Sequence, residues 1–492
     1  MPHSDNHAAT VPARSLSPQI ALWIFAVFQF LYLLTSTGRV RTADEYNTLY
    51  TTESLVLHGT TAVPQAVALH NFYGRLDLHG LPRAAYPPGQ ALACAPWYAL
   101  GQYVLARLPG VPADDIDLIV AFASCLSSAT FAALTVTFFF VLLRGIGIGL
   151  RPALMATFVV ALATPIFAYS AWLFSEPLSA AIFTGAACLL FVAPLTTRSA
   201  AFTGLFLGLA TLVRPTNILA VGVFAFALIA LAGKSALRPA FALCAASAIG
   251  VIILLAHNAL LFGSPFAFGY PAAAEGAKHL NRFDTPLLTG LYGFLLSPGK
   301  SVFIFAPPAI LALAGLRALW RSNRGLASLA ILFPLVGLFF FAKYSQWEGG
   351  YCVGPRYLVP ALVFLCLGLG PVLARSGVRL KALALVLFAL GFLVQALSLA
   401  TSFMEDQVPR GHYYGANWTY RLDYSLSGPV HLVSKYLNSS EPARLGLGWD
   451  RWFVFLAKAG VSRPTLAMLA TAMLAGLAIS LLGLFKSVAT TE

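Results

Sequence analysis

The chain has 492 residues, of which 59% are hydrophobic and only 10% are charged. Soluble domains carry about 25% charged residues, so this composition excludes a water-soluble globular protein and indicates an integral membrane protein. A net charge of +13 is compatible with either nucleic-acid binding or a membrane topology with basic inside loops, and the distribution of charge along the chain distinguishes the two.

Apolar runs long enough to cross a bilayer recur along the chain, and we predict an all-α polytopic membrane protein with about twelve transmembrane helices. The predicted spans are 19–37, 116–143, 152–174, 178–193, 200–216, 218–233, 239–262, 302–320, 326–342, 358–374, 382–403 and 464–485. The first run is too long for a typical signal core and no small-residue cleavage site follows it, so we expect a retained anchor. Segment 91–106 is short and contains proline, and we expect it to be re-entrant or to lie along the interface.

These spans divide the chain into six predicted regions. They are a cytoplasmic N-terminus (1–18), the first span (19–37), a first outside loop (38–115), a membrane core of about ten spans (116–403), an outside region with interfacial helices (404–463), and the last span with a cytoplasmic tail (464–492). The interfacial helices are expected because the outside region mixes apolar, Trp and basic residues, as in GWDRWFVFLAK.

The basic residues follow the positive-inside rule. With the N-terminus inside, thirteen Lys and Arg but only two acidic residues fall on the inside, whereas the remaining basic residues are nearly balanced by acidic ones outside. The basic excess therefore reflects membrane topology, and no nucleic-acid partner is expected. Since the inside loops are short and the outside loops are long and rich in carboxylates, the chemistry is predicted on the outside.

Two adjacent carboxylates, Asp44 and Glu45, follow the first span by about seven residues. A carboxylate held near the bilayer surface can act as a general base on a hydroxyl group. Adjacent side chains point in different directions, so the two residues are not expected to share one role. A solvated acidic pair or the start of a helix is the alternative interpretation.

The same loop contains further candidates. Tyr86 precedes a Pro-Pro pair, which stops both helix and strand and predicts a rigid turn. His58, His70 and His79 lack the spacing of metal ligands, so no metal site is predicted there. The acidic run at 114–117 leaves a divalent cation open as a cofactor, with a solvated boundary of the second span as the alternative interpretation.

Four predicted spans begin on the outside with a proline in or next to their first turn. The segments are SEP, RPT, SPGKS and GPRY, at 175–177, 214–216, 297–301 and 354–357. Proline is favoured in the first helical turn, and helix N-termini attract anions. With Arg214, Lys300 and Arg356, these ends predict a phosphate site at the depth of the lipid headgroups. Ordinary helix starts with snorkelling basic residues are the alternative.

Charged residues inside a bilayer are costly, so they mark either function or an ion pair. Glu176 and Arg214 are predicted to lie slightly inside it, where either explanation applies. His257 lies near the outer end of the seventh predicted span, and a lone His is more often a hydrogen-bonded packing residue than a ligand.

In chain order, these motifs resemble those of the membrane-embedded GT-C glycosyltransferases, in the branch related to protein O-mannosyltransferases and lipid A aminoarabinose transferases. The similar segments are Asp44-Glu45 after the first span, YPPGQALACAPWYALG, FSEPL, LVRPTN, NALLFGSPFAFGY, LLSPGKSVFIFAP and WEGGYCVGPRYLVP. They cover about residues 20–375.

The resemblance implies a donor and a base. The donor of this family is a sugar on a polyprenyl phosphate, and an Asp in the first outside loop, here Asp44, is the implied base. Related enzymes often carry Lys-Pro-Pro where this chain has Tyr86 before Pro-Pro, so the basic residues of SPGK and GPRY are the expected phosphate ligands. Topology independently favours such a donor, because nucleotide sugars are cytoplasmic and an outside site needs a lipid-carried sugar.

We therefore predict a glycosyltransferase of the bacterial inner membrane with its active site facing the periplasm and a lipid, glycan or protein as acceptor. The expected site residues are Asp44 and Glu45 as catalytic groups, Lys300, Arg356 and Arg214 as ligands of the donor phosphate, and Tyr86, Glu176, His257 and Tyr357 as substrate-binding residues. A multi-span transporter, a lipid-linked-glycan ligase or polymerase, and a non-catalytic scaffold stay open as alternatives.

Overall fold

A computed structural model describes residues 17–270, 282–375, 377–400 and 451–491 of the chain. The regular structure of these residues is almost entirely helical, with one two-stranded antiparallel hairpin. The predicted all-α membrane fold is therefore confirmed. Most of the predicted outside region 404–463 lies outside the described residues.

The elements follow one another in a single order along the chain. They are α1 (Pro18–Thr35), α2 (Ala43–His58), α3 (Pro64–Ala68), β1 (Gly74–Leu76), β2 (Pro82–Ala84), α4 (Gly89–Tyr103), α5 (Ile116–Gly145), α6 (Leu150–Ala163), α7 (Pro165–Tyr169), α8 (Glu176–Phe191), α9 (Thr197–Leu209), α10 (Ile218–Ala232), α11 (Leu237–Phe262), α12 (Leu287–Leu295), α13 (Val302–Phe305), α14 (Pro308–Ser322), α15 (Arg324–Ala342), α16 (Val359–Leu365), α17 (Leu369–Arg375), α18 (Val378–Ala400), α19 (Trp452–Lys458) and α20 (Arg463–Thr491).

Seven helical stretches within the described residues are long and apolar enough to cross a membrane, and α6 and α8 are shorter apolar helices. One of the seven, Pro215–Phe262, contains both α10 and α11. The count of about twelve spans and the cytoplasmic placement of both termini stay predictions.

Two predicted spans are interrupted by proline. The span predicted at 152–174 ends as α6 at Ala163, and only the short α7 follows before an irregular segment leads to α8. The span predicted at 302–320 is divided between α13 and α14, where Pro307 and Pro308 follow each other. Proline has no N–H to donate to the preceding turn, so each helix ends or restarts there.

Helix α5 is the central helix of the membrane core, and it packs against α1, α4, α6 and α8. Segment 91–106, predicted to be re-entrant or interfacial, forms most of α4, which packs between α2 and α5. Because α2, the hairpin and α4 all belong to the chain between α1 and α5, we refer to residues 36–115 as the α1–α5 loop.

Small residues bring α9 and α11 unusually close together. A Cβ atom added at Gly204 would lie 2.0 Å from the Leu243 carbonyl oxygen, and one at Gly208 would lie 2.2 Å from the Ser247 carbonyl oxygen. Membrane helices use such small residues to bring their backbones into contact, since apolar side chains gain little by leaving lipid. This contact fixes the end of α9, from which the chain leads to Arg214.

Candidate active site

A cavity of about 580 Å³ lies between the α1–α5 loop and the ends of several spanning helices. Its lining residues are Arg41, Thr42, Ala43, Asp44, His70, Asn71, Phe72, Tyr73, Tyr86, Arg214, Pro215, Thr216, Phe268, Tyr270, Phe283, Phe341, Tyr344, Gln346, Gly349, Gly350, Tyr351, Arg356 and Tyr357. Aromatic side chains dominate this list, and few charged groups accompany them. That combination is typical of a ligand site, in which apolar walls enclose a few placed polar groups.

Four charged side chains at the cavity form one continuous chain of ion pairs. Arg356 donates from Nη1 to Oδ2 of Asp44 at 2.5 Å and from Nε to Oε1 of Glu176 at 2.8 Å. The Nη1 atom of Arg214 lies 2.8 Å from the same Glu176 oxygen. Residues 312 positions apart in the sequence therefore meet, and the two arginines are held side by side.

Glu176 lies behind the cavity wall and contacts the cavity only through the two arginines. Its side chain is fully buried and absent from the lining, whereas both arginines that it contacts face the cavity. Two guanidinium groups in a buried site repel each other, and a carboxylate between them offsets that repulsion by attracting both. The pairing of Glu176 with Arg214, one of the two alternatives left open by the sequence, is what the structure shows, and Arg356 joins that pair.

Local sequence explains how these side chains are placed. Asp44 lies in the first turn of α2, and Glu176 is the first residue of α8. Arg356 begins a short 3₁₀ turn after a glycine-rich loop in which Gly349 and Gly354 have φ values of +84° and +60°. Only glycine adopts this conformation readily. The Gly349 carbonyl accepts a hydrogen bond from Arg356 Nη1 at 3.3 Å, so the loop helps to hold the guanidinium.

Asp44 is held by a tyrosine as well as by arginine. The Tyr86 hydroxyl donates to Asp44 Oδ1 at 2.6 Å. Burial raises the pKa of Asp44, but the charge of Arg356, the hydrogen bonds from Tyr86 and Arg356, and the charge of Arg214 outweigh it, so the pKa lies below its ordinary value. Asp44 is therefore ionised at neutral pH. Burial and the adjacent Asp44 raise the pKa of Tyr86 well above its usual value, which keeps its hydroxyl protonated as a donor.

Aromatic rings support the arginines and form the cavity walls. The guanidinium of Arg356 lies 4.2 Å from the ring centre of Phe174, and that of Arg214 lies 5.2 Å from the ring of Tyr357. Such contacts fix the plane of a guanidinium group. Tyr357 itself stacks on Phe341 at 4.6 Å.

Glu45, predicted as a second catalytic carboxylate, is placed away from the cavity. It is fully buried and forms a capping box at the start of α2, in which Oε2 accepts from the backbone N–H of Thr42 at 3.0 Å. Its Oε1 accepts from the backbone N–H of Leu173 at 3.1 Å. The helix-start interpretation therefore applies to Glu45, which joins α2 to the segment before α8.

Two other predicted residues are not brought to this cavity. Lys300 is buried, and its Nζ contacts the carbonyl oxygen and Sγ of Cys352 at 3.0 and 3.3 Å. It does not line the cavity, although Cys352 lies in the loop that holds Arg356. His257 lies beside Asn258 in a separate small cavity under the hairpin, where Arg83 also lies.

The structure adds residues that the sequence did not single out. Tyr73, Tyr270 and Tyr344 all line the cavity. Tyr270 meets Tyr86 edge-to-face at a ring distance of 5.8 Å. Tyr270 ends the GSPFAFGY motif, but nothing in the spacing of this motif indicates which of its aromatic residues faces a ligand.

Among the described residues, no group of three His, Cys, Asp and Glu side chains is arranged to hold a metal ion. The cavity lining has one carboxylate, Asp44, and one histidine, His70. The sequence leaves a divalent cation open as a cofactor without predicting one.

No family model matches the chain, and no curated protein matches it. Among solved structures it is similar to ArnT from Cupriavidus metallidurans bound to undecaprenyl phosphate, with 16% identity and a TM-score of 0.50 over 95% of this chain and 77% of that chain. The apo state of the same ArnT gives 14% identity and a TM-score of 0.49 over 94% and 76%. An Archaeoglobus fulgidus oligosaccharyltransferase in the apo form gives 12% and 0.45 over 81% and 56%. The likeness to ArnT shows a shared fold, so the GT-C fold indicated by the motifs is confirmed.

Proposed function

We propose that this GT-C membrane protein transfers a sugar from a polyprenyl-phosphate donor to an acceptor hydroxyl. The observation that carries the proposal is the ion-pair chain Asp44–Arg356–Glu176–Arg214 beside an aromatic cavity at the ends of spanning helices. It combines a carboxylate that can accept a proton with two guanidinium groups that can bind a phosphate. The ArnT structure of the same fold contains undecaprenyl phosphate, which supports a donor of this kind.

In the proposed mechanism, the donor phosphate binds to Arg356 and Arg214, whose spacing is fixed by Glu176. Arg356 then exchanges its contact with Asp44 for one with the phosphate, and Asp44 becomes available to the acceptor. The aromatic walls, which include Tyr357, pack against the sugar. Lys300 has no part in binding the phosphate in this mechanism, because it lies outside the cavity lining.

The transfer itself is a single displacement. The acceptor oxygen forms a bond to the anomeric carbon while the bond from that carbon to the phosphate oxygen breaks and leaves its electron pair on the phosphate. The acceptor proton passes to Asp44, and the anomeric configuration inverts. Stabilisation of the leaving phosphate by the two arginines is expected to be the largest contribution, and a general base adds about 10²–10⁴-fold.

The proposal also includes the face of the membrane on which the site lies and the compartment that the site faces. A site on the side opposite the basic loops faces the periplasm if the chain lies in a bacterial inner membrane. Nucleotide sugars do not reach that side, which favours a lipid-carried donor. The acceptor on this face is a lipid, a glycan or a protein.

The test uses the purified full-length chain in proteoliposomes with a mixture of polyprenyl-phosphate sugars and a membrane extract as acceptor. Mass spectrometry follows the release of free polyprenyl phosphate, with and without EDTA. Release by the wild type and its loss in Asp44→Asn are expected, and a dependence on EDTA would assign the cation. Uptake of sugar without any covalent product would overturn the proposal in favour of a transporter. The mass of the product distinguishes the transfer of one sugar from glycan ligation or polymerisation.

A further inference from the structure

The hairpin of the α1–α5 loop exposes leucines at its tip. Leu76, Leu78 and Leu81, which we call the leucine tip, have relative exposures of 57, 62 and 44%. Monomeric proteins rarely expose contiguous apolar side chains unless another surface covers them. The turn that carries them is well ordered by its own hydrogen bonds, since Asp77 accepts from the backbone N–H groups of His79 and Leu81 at 2.8 and 2.9 Å.

The position of the leucine tip is fixed against the end of a spanning helix. The backbone N–H of Leu78 donates to the carbonyl oxygen of Leu261 at 2.9 Å, and Leu261 lies in the last turn of α11. The guanidinium of Arg75 lies 5.0 Å from the ring centre of Phe262. The tip therefore lies level with the C-terminal end of α11, where an apolar helical stretch long enough to cross a membrane ends.

The leucine tip continues an exposed apolar face of α11. Helix α11 exposes a series of large apolar side chains along its length, and next to the hairpin Leu260 is 75% exposed. Just after the helix, Phe266 is 77% exposed. An exposed apolar face on a membrane-spanning helix is the surface that lipid tails cover.

The charges around the leucine tip also fit a lipid surface. Asp77 is the only acidic residue between positions 54 and 113. Its carboxylate is paired with Arg83 at 2.8 Å and its side chain is fully buried, so it presents no negative charge to phosphate headgroups. Arg75 lies beside the tip, where a basic group is favourable near headgroups.

We propose that the leucine tip inserts into the membrane leaflet that borders this loop and anchors the hairpin there. The anchor has a consequence for the cavity, because Tyr73 precedes β1 and Tyr86 follows β2, and both tyrosines line it. The backbone N–H of Ala85 donates to the Tyr73 carbonyl at 3.0 Å, which ties the two strand ends together. The leaflet thus fixes this wall of the cavity at headgroup depth. The inference does not depend on the reaction proposed above.

The test places a fluorescent label at the tip of the full-length protein in proteoliposomes. Cys244, the exposed one among the six cysteines, is first replaced by Ala. Leu78→Cys is then labelled with an environment-sensitive maleimide dye and exposed to nitroxide-labelled phospholipid or to aqueous iodide. Two references calibrate the result. Ile252→Cys lies on the exposed apolar face of α11, and Asp284→Cys lies in an exposed ion pair with Arg282.

We expect the label at Leu78 to be quenched by the nitroxide lipid to within twofold of the label at Ile252, and weakly by iodide. Quenching by iodide as strong as at Asp284 would overturn the proposal, because the tip would then be in water. Protection from both quenchers would also overturn it, since a protein would then cover the tip. Leu81→Cys repeats the measurement at a second site in case labelling at Leu78 perturbs the turn.

Discussion

Replacement of Asp44 by Asn separates its role as a base from its role as an ion-pair partner. Asn keeps the shape of the side chain and can still accept the hydrogen bond from Tyr86, but it cannot take up the acceptor's proton. The structure therefore predicts two opposite effects. The rate of transfer falls because the base is lost, and the affinity for polyprenyl phosphate is retained or rises because Arg356 no longer has a carboxylate partner at 2.5 Å.

The two effects differ in size. Loss of the base lowers kcat by about 10²–10⁴-fold, which corresponds to about 3–5 kcal/mol in the barrier. The side chain of Asp44 is 21% exposed, so water weakens its pair with Arg356. A hydrogen bond to a charged group contributes about 1.5–3 kcal/mol, and the lower end applies to a side chain that is 21% exposed, so polyprenyl phosphate binds at most about tenfold more tightly.

Single-turnover kinetics measure the rate, and titration calorimetry with polyprenyl phosphate in detergent measures the affinity. The matched control is Glu53→Gln, on the same helix α2 but outside the cavity lining, and it should leave both quantities nearly unchanged. An unchanged rate in Asp44→Asn would remove Asp44 from the chemistry. A parallel loss of rate and affinity would show that Asp44 holds the site together and is not the base.

Three further predictions concern Glu45, Tyr86 and the contact between α9 and α11. In Glu45→Gln, the loss of the charged cap lowers the free energy of unfolding by about 1–3 kcal/mol. Thermal unfolding should show a lower midpoint, while the folded protein keeps its transfer rate. An unchanged midpoint contradicts the capping role. Tyr86→Phe removes a hydrogen bond that lowers the pKa of Asp44, so the pKa of Asp44 rises in this variant. The acid limb of the pH profile of kcat/KM should therefore move to higher pH. A profile that stays in place or moves to lower pH refutes the contact. In Gly204→Val, the added Cβ would lie 2.0 Å from the carbonyl oxygen of Leu243, and the variant should be destabilised by about 1–3 kcal/mol. The control is Gly222→Val, which should leave the stability unchanged because a Cβ at Gly222 meets open space.

The sequence predicts the charged residues of the site but only part of their pairing. The sequence indicates Glu176 and Arg214 because charges inside a bilayer are costly, Asp44 because it is a carboxylate just after the first span, and Arg356 because it is a basic residue at a helix start. A pairing of Glu176 with Arg214 was one alternative from the sequence, but the contacts of Arg356 with Asp44 and Glu176 were not predictable, because these residues are up to 312 positions apart and the sequence does not say which helix ends converge. Adjacent residues show the same limit, since Asp44 faces the cavity while Glu45 caps α2.

The sequence by itself determined the membrane class, the helical composition and the order of the GT-C motifs, because hydropathy, proline positions and charge bias are properties of short segments. Only the tertiary structure decided which candidates meet. Lys300 and Arg356 look alike as basic residues at helix starts, yet Lys300 is buried against Cys352 and Arg356 faces the cavity. That difference comes from the packing of helices and the turn at Gly349 and Gly354, which aim side chains in directions that no local pattern records.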